Sequence, residues 1–260
     1  MRMTAPSPAS RDWHDQTVWV IGASSGIGAA LATELLHHGA RVILSARRQE
    51  KLEQVADHHP LACVEPLDVT QPASWQACWE RLREQHHLPD RVVFCAAAYR
   101  PERSWELKAD QVKLTLETNL AGVYFGLETI LPELMARRRG GIALVASVAG
   151  YLGLPGASVY GPSKAALINL AELLSAELME YGIAVQLINP GFVATRLTAL
   201  NDFPMPALIS SAAAARHIVK GLQGRRFEIH FPRRFTLWMK LAAMLPYPLR
   251  LPILRRLAHN

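Results

Sequence analysis

Short apolar segments alternate along most of the chain with longer segments in which apolar residues recur at helical spacing. The short segments are rich in β-branched residues and predict strands over 17–21, 41–45, 61–65, 91–95, 141–147, 183–189 and about 226–230. The longer segments predict helices over 26–38 and about 49–58, 72–87, 107–136, 158–181 and 208–222. Strands that alternate with helices of this length form βαβ units. The pattern therefore predicts a doubly wound, Rossmann-type α/β fold: a parallel sheet of about seven strands with helices on both faces.

This alternation covers 17–231, which we interpret as one central domain within the 260 residues. Residues 1–16 lack the apolar core of a signal peptide and predict a flexible arm, whereas 232–260 form a basic, apolar extension. No apolar run approaches the roughly 18 residues that span a bilayer. Three cysteines are too few and too scattered for a disulfide framework, so a cytoplasmic location is expected. We assign no metal ligands.

Charge is distributed unevenly between the two ends of the sequence. Residues 224–260 contain eight basic residues and one acidic residue, a formal charge of +7, whereas the chain as a whole carries +6. The preceding part is therefore nearly neutral, at −1, and the basic character belongs to the C-terminal end.

A glycine-rich turn comes directly after the first predicted strand and leads into a helix. Gly22 permits a tight turn, Gly26 lets the backbone approach an anion closely, and Gly28 lets the helix pack against the sheet. The N–H groups at the start of a helix favour an anion such as a pyrophosphate. The position of the turn between strand and helix predicts a dinucleotide site, and an ordinary glycine-rich connection is the alternative.

Further motifs occur in order along the chain. The turn has the spacing G-x-x-x-G-x-G, Ser147 ends the fifth strand, and Tyr160 and Lys164 form a Y-x-x-x-K motif. Asn119 lies in the long helix, and Pro190-Gly191 comes after the sixth strand with Thr195 beyond it. From about Thr17 to Phe231 this combination resembles the short-chain dehydrogenase/reductase family. The resemblance implies an NAD(P)-dependent enzyme that moves a hydride between a nicotinamide and a carbonyl or alcohol group.

Four residues receive catalytic roles from this resemblance. Tyr160 would act as general acid in reduction and general base in oxidation, and Ser147 would hydrogen-bond the substrate oxygen. Lys164 would hold the nicotinamide ribose and, as a nearby cation one helical turn away, lower the pKa of Tyr160. Asn119 would hold a water in a proton relay. An amphipathic surface pair is the alternative interpretation of Tyr160 and Lys164.

The resemblance also predicts which residues contact the cofactor. They come from the glycine turn and from the ends of the later strands: Gly22, Ser24, Ser25, Gly26, Ile27, Gly28, Arg47, Arg48, Asp68, Val69, Ala96, Tyr160, Lys164, Pro190, Gly191, Val193 and Thr195. Two positions depart from the family pattern, because Ile21 stands where many members have Thr, and Phe94-Cys95-Ala96-Ala97 replaces N-N-A-G. The second departure puts a local hydrogen bond on the adenosine side in doubt.

The second strand ends at Ser45-Ala46-Arg47-Arg48, without the carboxylate that receives the adenosine 2′-hydroxyl in NAD enzymes. Arginine binds phosphate oxygens in a bidentate manner. We therefore predict a preference for NADP(H), with Arg47 as the first choice and Arg48 as the second; the alternative is that both face solvent. Asp68, after the third strand, resembles the family's adenine-contacting aspartate and is also compatible with a helix N-cap region.

The substrate side is mostly apolar. Residues from loops expected to face the nicotinamide, together with the catalytic Ser147 and Tyr160, are predicted to contact substrate: Tyr99, Leu152, Leu154, Phe192 and Phe203. The segment 192–206 matches the family's mobile substrate lid. These residues predict a lipophilic carbonyl or alcohol substrate, and ordinary core packing is the alternative for each.

The C-terminal extension combines apolar residues at helical spacing over 235–245 with arginines further on, and prolines at 246, 248 and 252 are expected to break helical structure beyond 245. A basic amphipathic end with a Trp predicts contact with an anionic membrane surface, which would place the enzyme peripherally on the inner face of a membrane. Docking onto a neighbouring subunit or onto the chain's own substrate lid is equally compatible. Nucleic acid is not expected, because the extension is too apolar and has no recognisable binding fold.

Two other functions compete with carbonyl reduction: a non-catalytic NADP(H)-binding sensor or scaffold, and an isomerase or epimerase that uses the cofactor transiently. The retained Tyr160 and Lys164 disfavour the first, and the small room for a substrate domain disfavours the second. The family resemblance also implies a homodimer or homotetramer built on the two long helices. Leucines on these helices could serve the core or that interface: Leu114, Leu120, Leu127, Leu131, Leu167, Leu170 and Leu174.

Overall fold

The computed structural model describes residues 12–259. Within them, seven parallel strands form one sheet in the order β3-β2-β1-β4-β5-β6-β9. The strands are β1 (Thr17–Ile21), β2 (Arg41–Ser45), β3 (Ala62–Val64), β4 (Arg91–Phe94), β5 (Gly140–Val145), β6 (Ile183–Pro190), β7 (Val193–Ala194), β8 (Ile209–Ser210) and β9 (Glu228–Phe231). The two-residue strands β7 and β8 pair with each other outside the main sheet. The predicted doubly wound fold is confirmed, and β1 and β4 lie side by side where the strand order reverses direction.

Helices cover both faces of this sheet. They are α1 (Gly26–His37), α2 (Gln49–Ala56), α3 (Pro72–Glu84), α4 (Ala109–Leu116), α5 (Gly122–Arg137), α6 (Tyr160–Glu177), α7 (Ser211–Leu222), α8 (Arg233–Met244) and α9 (Tyr247–His259). One core cluster contains Trp75, Leu127 and Leu167 beneath α3, α5 and α6, and the other contains Leu31 and Ile218 beneath α1 and α7. The near-continuous apolar strands are therefore buried from two sides, as their sequence predicts.

The structure corrects the predicted long helix over 107–136. Glu117–Ala121 form a π-helical segment between α4 and α5. The segment has no proline, and its sequence carries ordinary helical spacing, so the pattern of apolar residues cannot distinguish it from α-helix. Of the leucines on this helix and on α6, Leu127, Leu167, Leu170 and Leu174 are buried in the core. Leu114 is exposed, and Leu120 and Leu131 are half-buried.

Both ends of the central domain also differ from expectation. Residues 1–11 of the predicted arm lie outside the described residues, but Trp13 is buried in the core within a short 3-10 helix over Trp13–Asp15. At the other end the prolines do not end the helical structure, because α9 begins at Tyr247 and contains Pro252. Pro248 falls in the first helical turn, where the missing N–H has no intrahelical partner to lose.

Candidate active site

A large cavity of about 1380 Å³ opens at the carboxyl edge of the sheet. It begins at the glycine turn after β1, passes the ends of β4, β5 and β6, and ends at residues of α8 and α9. The carboxyl ends of parallel strands meet at one edge, and ligands of open α/β sheets bind there, at the switch point in strand order. Every residue predicted to contact the cofactor, from Gly22 to Thr195, lines this cavity.

The glycine turn is fixed by close backbone packing. Gly22 has a φ of +95°, and a Cβ added there would lie 2.6 Å from the backbone N of Ala96. A Cβ at Gly28 would lie 2.3 Å from the carbonyl oxygen of Gly22. The turn is also held to β2, because the Gly22 N–H donates to the Ser45 carbonyl at 2.7 Å. A side chain at Gly22 would push the glycine turn away from the backbone after β4, and a side chain at Gly28 would separate the first turn of α1 from the glycine turn.

The side chains of the two arginines after β2, Arg47 and Arg48, form no hydrogen bond or ion pair within the described residues, and both arginines line the cavity. Arg47 is exposed, and Arg48 is half-buried at the N-terminus of α2. On the next strand connection, Asp68 accepts hydrogen bonds from the N–H of Thr70 at 3.0 Å and from its hydroxyl at 2.8 Å. These contacts shape the loop before α3, and Asp68 also lines the cavity. Its position is therefore compatible with contact to the adenine and with a role near the N-terminus of the helix.

Ser147, Tyr160 and Lys164 meet at the middle of the cavity. Tyr160 and Lys164 lie one turn apart at the start of α6, and Ser147 comes after β5, so strand and helix bring the three together. The Ser147 hydroxyl accepts from the Ala149 N–H at 3.1 Å. The Lys164 ammonium donates to the Val145 carbonyl at 2.9 Å and lies 5.5 Å from the centre of the Tyr160 ring.

The structure contradicts the expected effect of Lys164 on Tyr160. Burial raises the pKa of Tyr160 above its ordinary value, and a hydrogen bond with Ser147 offsets only part of that rise. Burial also lowers the pKa of Lys164, to about 8. The ammonium is committed to a backbone carbonyl and lies over the ring instead of at the phenol oxygen. In this arrangement burial of the phenol sets the direction of its pKa shift.

Burial of Lys164 leads to a prediction about stability and pH. An unfolded lysine has a pKa near 10.4, so between about pH 8 and 10.4 the unfolded state holds a proton that the folded state has lost. Stability contributed by Lys164 therefore rises with pH in this window, by at most about 1.4 kcal/mol per pH unit. We expect the free energy of urea unfolding of the cofactor-free protein to rise with pH relative to that of Lys164→Met. Lys220→Met, which removes an exposed lysine on α7, is the matched control.

Asn119 does not reach the cavity. Its side chain is fully buried in the π-helical segment, accepts from the Ala98 N–H at 2.7 Å, and donates to the Ala98 carbonyl at 3.0 Å and to the Ser163 hydroxyl at 3.1 Å. These bonds tie the loop after β4 to α6, one residue before Lys164. The Asn119 side chain thus positions the loop and the helix. Its role in holding a water of the proton relay stays a prediction.

Of the predicted substrate residues, Tyr99, Leu154, Phe192 and Phe203 line the cavity. The Tyr99 ring lies 4.9 Å from that of Tyr160, and its hydroxyl donates to the Asn201 side chain at 2.6 Å. The predicted substrate contact of Leu152 is wrong, because this residue is buried but does not line the cavity. Leu152 lies two residues before Leu154 in the same short loop. The apolar character of that loop does not indicate which of the two leucines faces the cavity.

The cavity also contains residues that the sequence interpretation missed. Phe235 and Met239 of α8 and Leu257 of α9 line its outer end, and the Phe235 ring lies 5.6 Å from that of Phe192. Glu102 receives the Val159 N–H at 3.1 Å and so holds the N-terminus of α6. The helical spacing of Phe235 and Met239 is visible in the sequence, but what that face covers depends on the tertiary fold.

A parallel sheet with a glycine turn at its switch point, facing a half-buried tyrosine and a buried lysine, defines a nicotinamide-dependent oxidoreductase. A sequence model of the family described as short chain dehydrogenase matches residues 16–202. The chain belongs to the short-chain dehydrogenase family.

Three comparisons extend this assignment. An uncharacterized oxidoreductase of Myxococcus xanthus is 37% identical over 93% of this chain and 97% of its own length. The 3-oxoacyl-[acyl-carrier-protein] reductase FabG of Salmonella typhimurium is 32% identical over 76% of this chain and 82% of its own. A solved structure titled ribose-5-phosphate isomerase, from Brucella melitensis, superposes with a TM-score of 0.77 at 28% identity, covering 85% of this chain and 92% of that one. The chain is thus similar to oxidoreductases along nearly all of its central domain.

Proposed function

We propose that this enzyme is an NADP(H)-dependent carbonyl reductase or alcohol dehydrogenase acting on a lipophilic substrate. The observation that carries the proposal is the meeting of Ser147, Tyr160 and Lys164 midway along one cavity. On one side of them lies the glycine turn with two arginines, and on the other lies an apolar wall. An anionic dinucleotide and an apolar substrate would then meet at the tyrosine.

The residues at the inner end fit a bound dinucleotide. Gly22 and Gly28 allow a close backbone packing of the turn that a Cβ would prevent, and the first amides of α1 favour a pyrophosphate. Asp68, Val69 and Ala96 would contact the adenosine, and Lys164 would hold the nicotinamide ribose. The remaining predicted contacts would lie beside the nicotinamide: Pro190, Gly191, Val193 and Thr195. When bound, the reduced nicotinamide supplies the hydride.

The chain's own groups handle the proton and the developing charge. The half-buried Tyr160 stays protonated at neutral pH, because its pKa is raised, and can donate that proton to the substrate oxygen. The Ser147 hydroxyl would donate a hydrogen bond to the same oxygen and stabilise the charge forming there. In oxidation Tyr160 would receive the proton of the alcohol. A protonated phenol cannot receive it, so the rate of oxidation should rise with pH as the phenol is deprotonated.

Preference for NADP(H) is inferred from Arg47 and Arg48, which stand where an NAD enzyme places a carboxylate. We expect Arg47→Gln and Arg48→Gln to lower kcat/KM for NADPH by about ten- to hundred-fold, the loss of a charge-assisted hydrogen bond, while changing the value for NADH little. Initial rates with both cofactors measure this. Arg216→Gln, an exposed arginine on α7, is the matched control. Wild-type enzyme that uses NADH as well as NADPH would reject the preference.

The lipophilic substrate is supported by the wall of the cavity beyond Tyr160. Phe192 lies 6.0 Å from Phe203 and 5.6 Å from Phe235, ring centre to ring centre, so three aromatic rings form one continuous surface. Leu154, Met239 and Leu257 extend it. The name of the Salmonella relative describes a reductase of 3-oxoacyl groups, which is a carbonyl on an acyl chain. We therefore favour acyl-chain or other bulky apolar ketones over small polar ones.

The exposed faces of α4, α5 and α6 support a homodimer or homotetramer. Leu114 and Leu116 on α4, Tyr124 on α5 and Leu173 on α6 are large apolar side chains left exposed in the single chain. A symmetric interface would bury them twice, once on each subunit. Sedimentation velocity gives the assembly state directly.

Two alternatives are separated from this proposal by net redox turnover. A sensor or scaffold would bind NADPH without oxidising it, and an isomerase would return the cofactor to its starting state. Oxidation of NADPH in proportion to the carbonyl added supports the reductase and excludes both.

A further inference from the structure

The two C-terminal helices, which we call the C-terminal cap (233–259), present a broad apolar outer surface. Trp238 is 73% exposed and Met244 is 81% exposed. The other large apolar side chains left exposed on the cap are Leu237, Leu241, Tyr247, Leu249, Leu251, Ile253 and Leu257. Leu237, Leu241 and Met244 keep helical spacing along one stripe of α8, and Leu249, Ile253 and Leu257 do so along α9. Exposed apolar side chains in this number and at this spacing mark an interaction site.

The inner side of the cap closes the outer end of the active-site cavity. Phe235, Met239 and Leu257 line the cavity, and Arg103 of the loop after β4 donates to the Ala258 carbonyl at 3.1 Å. The cap is fixed to the sheet through the ion pair of Lys240 with Glu228. The same two helices therefore lie between the substrate cavity and their own exposed outer surface.

Charge indicates the nature of the occupant. Residues 232–260 contain no Asp or Glu, and Arg233, Arg234, Arg255 and Arg256 are exposed around the apolar stripes. A second copy of the chain would bring like charges together across a two-fold axis, which opposes pairing. An anionic bilayer attracts these arginines and accepts the apolar side chains between them.

The helices of the cap are short. α8 has 12 residues and α9 has 13, with Pro252 inside the second. No helix within residues 12–259 is both long enough and apolar enough to cross a membrane. A basic amphipathic pair of short helices lies in the plane of the interface, with its apolar side chains below the headgroups.

We propose that the C-terminal cap docks on the surface of an anionic phospholipid membrane, and that the substrate passes from the lipid into the cavity beside Leu257. This rests on the proposed function for the identity of the substrate, but not for the docking. Leu257 is the residue that joins the two surfaces, because it lines the cavity and is half exposed on the outer side of α9.

Vesicle co-sedimentation of the full chain tests the docking without cofactor or substrate. We expect binding to phosphatidylcholine vesicles containing phosphatidylglycerol, and weak binding to phosphatidylcholine alone. Leu241→Glu should reduce the partition coefficient by about ten-fold or more, because it places a carboxylate in the apolar stripe. Met179→Glu is the matched control, since Met179 is also an exposed apolar residue but lies after α6, away from the cap.

The basic residues of the cap are tested by the double variant Arg234→Gln/Arg256→Gln. Its partition coefficient on anionic vesicles should fall by about ten-fold or more.

Quenching of tryptophan fluorescence by brominated phospholipid locates the contact. Trp238 and Trp105 are the two strongly exposed tryptophans of the described residues. Quenching should be lost in Trp238→Phe and retained in Trp105→Phe. Equal vesicle binding by wild type and Leu241→Glu, or quenching that persists in Trp238→Phe, would overturn the proposal. A Leu241→Glu protein that shows no vesicle effect but a smaller assembly in sedimentation would assign the surface to a second copy instead.

Substrate entry is tested by turnover with two carbonyl substrates. Leu241→Glu should lower kcat/KM for a long-chain ketone dissolved in anionic vesicles by about ten-fold, because less of the enzyme is bound to the vesicles. The kcat/KM for a short water-soluble ketone should stay unchanged. An equal effect on both ketones, or on neither, would contradict entry from the lipid. Vesicle binding by an enzyme that turns over no carbonyl would reject the proposed function and leave the docking intact.

Discussion

Tyr160→Phe should lower kcat for carbonyl reduction by about 10²–10⁴-fold while leaving NADPH binding unchanged. The substitution removes only the hydroxyl that would donate the proton, and the ring keeps its edge-to-face contact with Tyr99 at 4.9 Å. Stopped-flow or steady-state loss of NADPH absorbance gives the rate. Titration of NADPH fluorescence gives the dissociation constant of the cofactor.

Tyr99→Phe is the control for this experiment. Tyr99 lines the same cavity and contacts the Tyr160 ring, but its hydroxyl donates to Asn201 and not to the reaction centre. We expect its kcat to stay within about ten-fold of wild type, because a neutral hydrogen bond contributes about 1 kcal/mol. If Tyr99→Phe lost as much activity as Tyr160→Phe, the assignment of the proton donor would be wrong.

Gly28→Ala should strongly weaken cofactor binding in a protein that still folds. A Cβ at this position would lie 2.3 Å from the Gly22 carbonyl, so α1 must move away from the glycine turn. We expect destabilisation of about 1–3 kcal/mol from overpacking. The amides at the start of α1 would then no longer align with the pyrophosphate, and each lost hydrogen bond to a charged group costs about 1.5–3 kcal/mol. We therefore expect the dissociation constant of NADPH to rise about hundred-fold or more.

Gly153→Ala is the matched control for Gly28→Ala. No atom lies within 4 Å of a Cβ built at Gly153. Its free energy of unfolding should stay within about 0.5 kcal/mol of wild type, with NADPH binding unchanged. Urea unfolding and fluorescence titration measure both quantities. Tight NADPH binding by Gly28→Ala would contradict the placement of the pyrophosphate at this turn.

The cofactor side of the site could be predicted from sequence because topology determines it. A glycine turn after β1 and residues directly after the other strands must meet at one edge of a parallel sheet. Gly22 and Arg47 are far apart along the chain from Thr195, yet all three line one cavity. The order of strands and motifs contains this information, and no knowledge of side-chain packing is needed to read it.

The features that sequence could not provide depend on packing in three dimensions. The Lys164 ammonium was expected to lower the pKa of Tyr160, but burial of both groups determines their pKa values here. The hydrogen bonds by which the Asn119 side chain holds Ala98 after β4 could not be read from its position in a helical pattern. The prolines of the extension were expected to end its helical structure, but one falls in the first turn of α9 and another is accommodated within it.

Transfer of the hydride itself is the central claim, and a reaction with NADPH deuterated at the transferring C4 position tests it most directly. With a long-chain ketone as substrate, mass spectrometry of the alcohol should show one deuterium at the carbinol carbon, and unlabelled NADPH in deuterated water should leave that carbon unlabelled. Deuterium that stays on the cofactor while the substrate is converted, or that enters the carbinol carbon from water, would contradict a reductase at Tyr160 and favour an isomerase or proton-transfer enzyme.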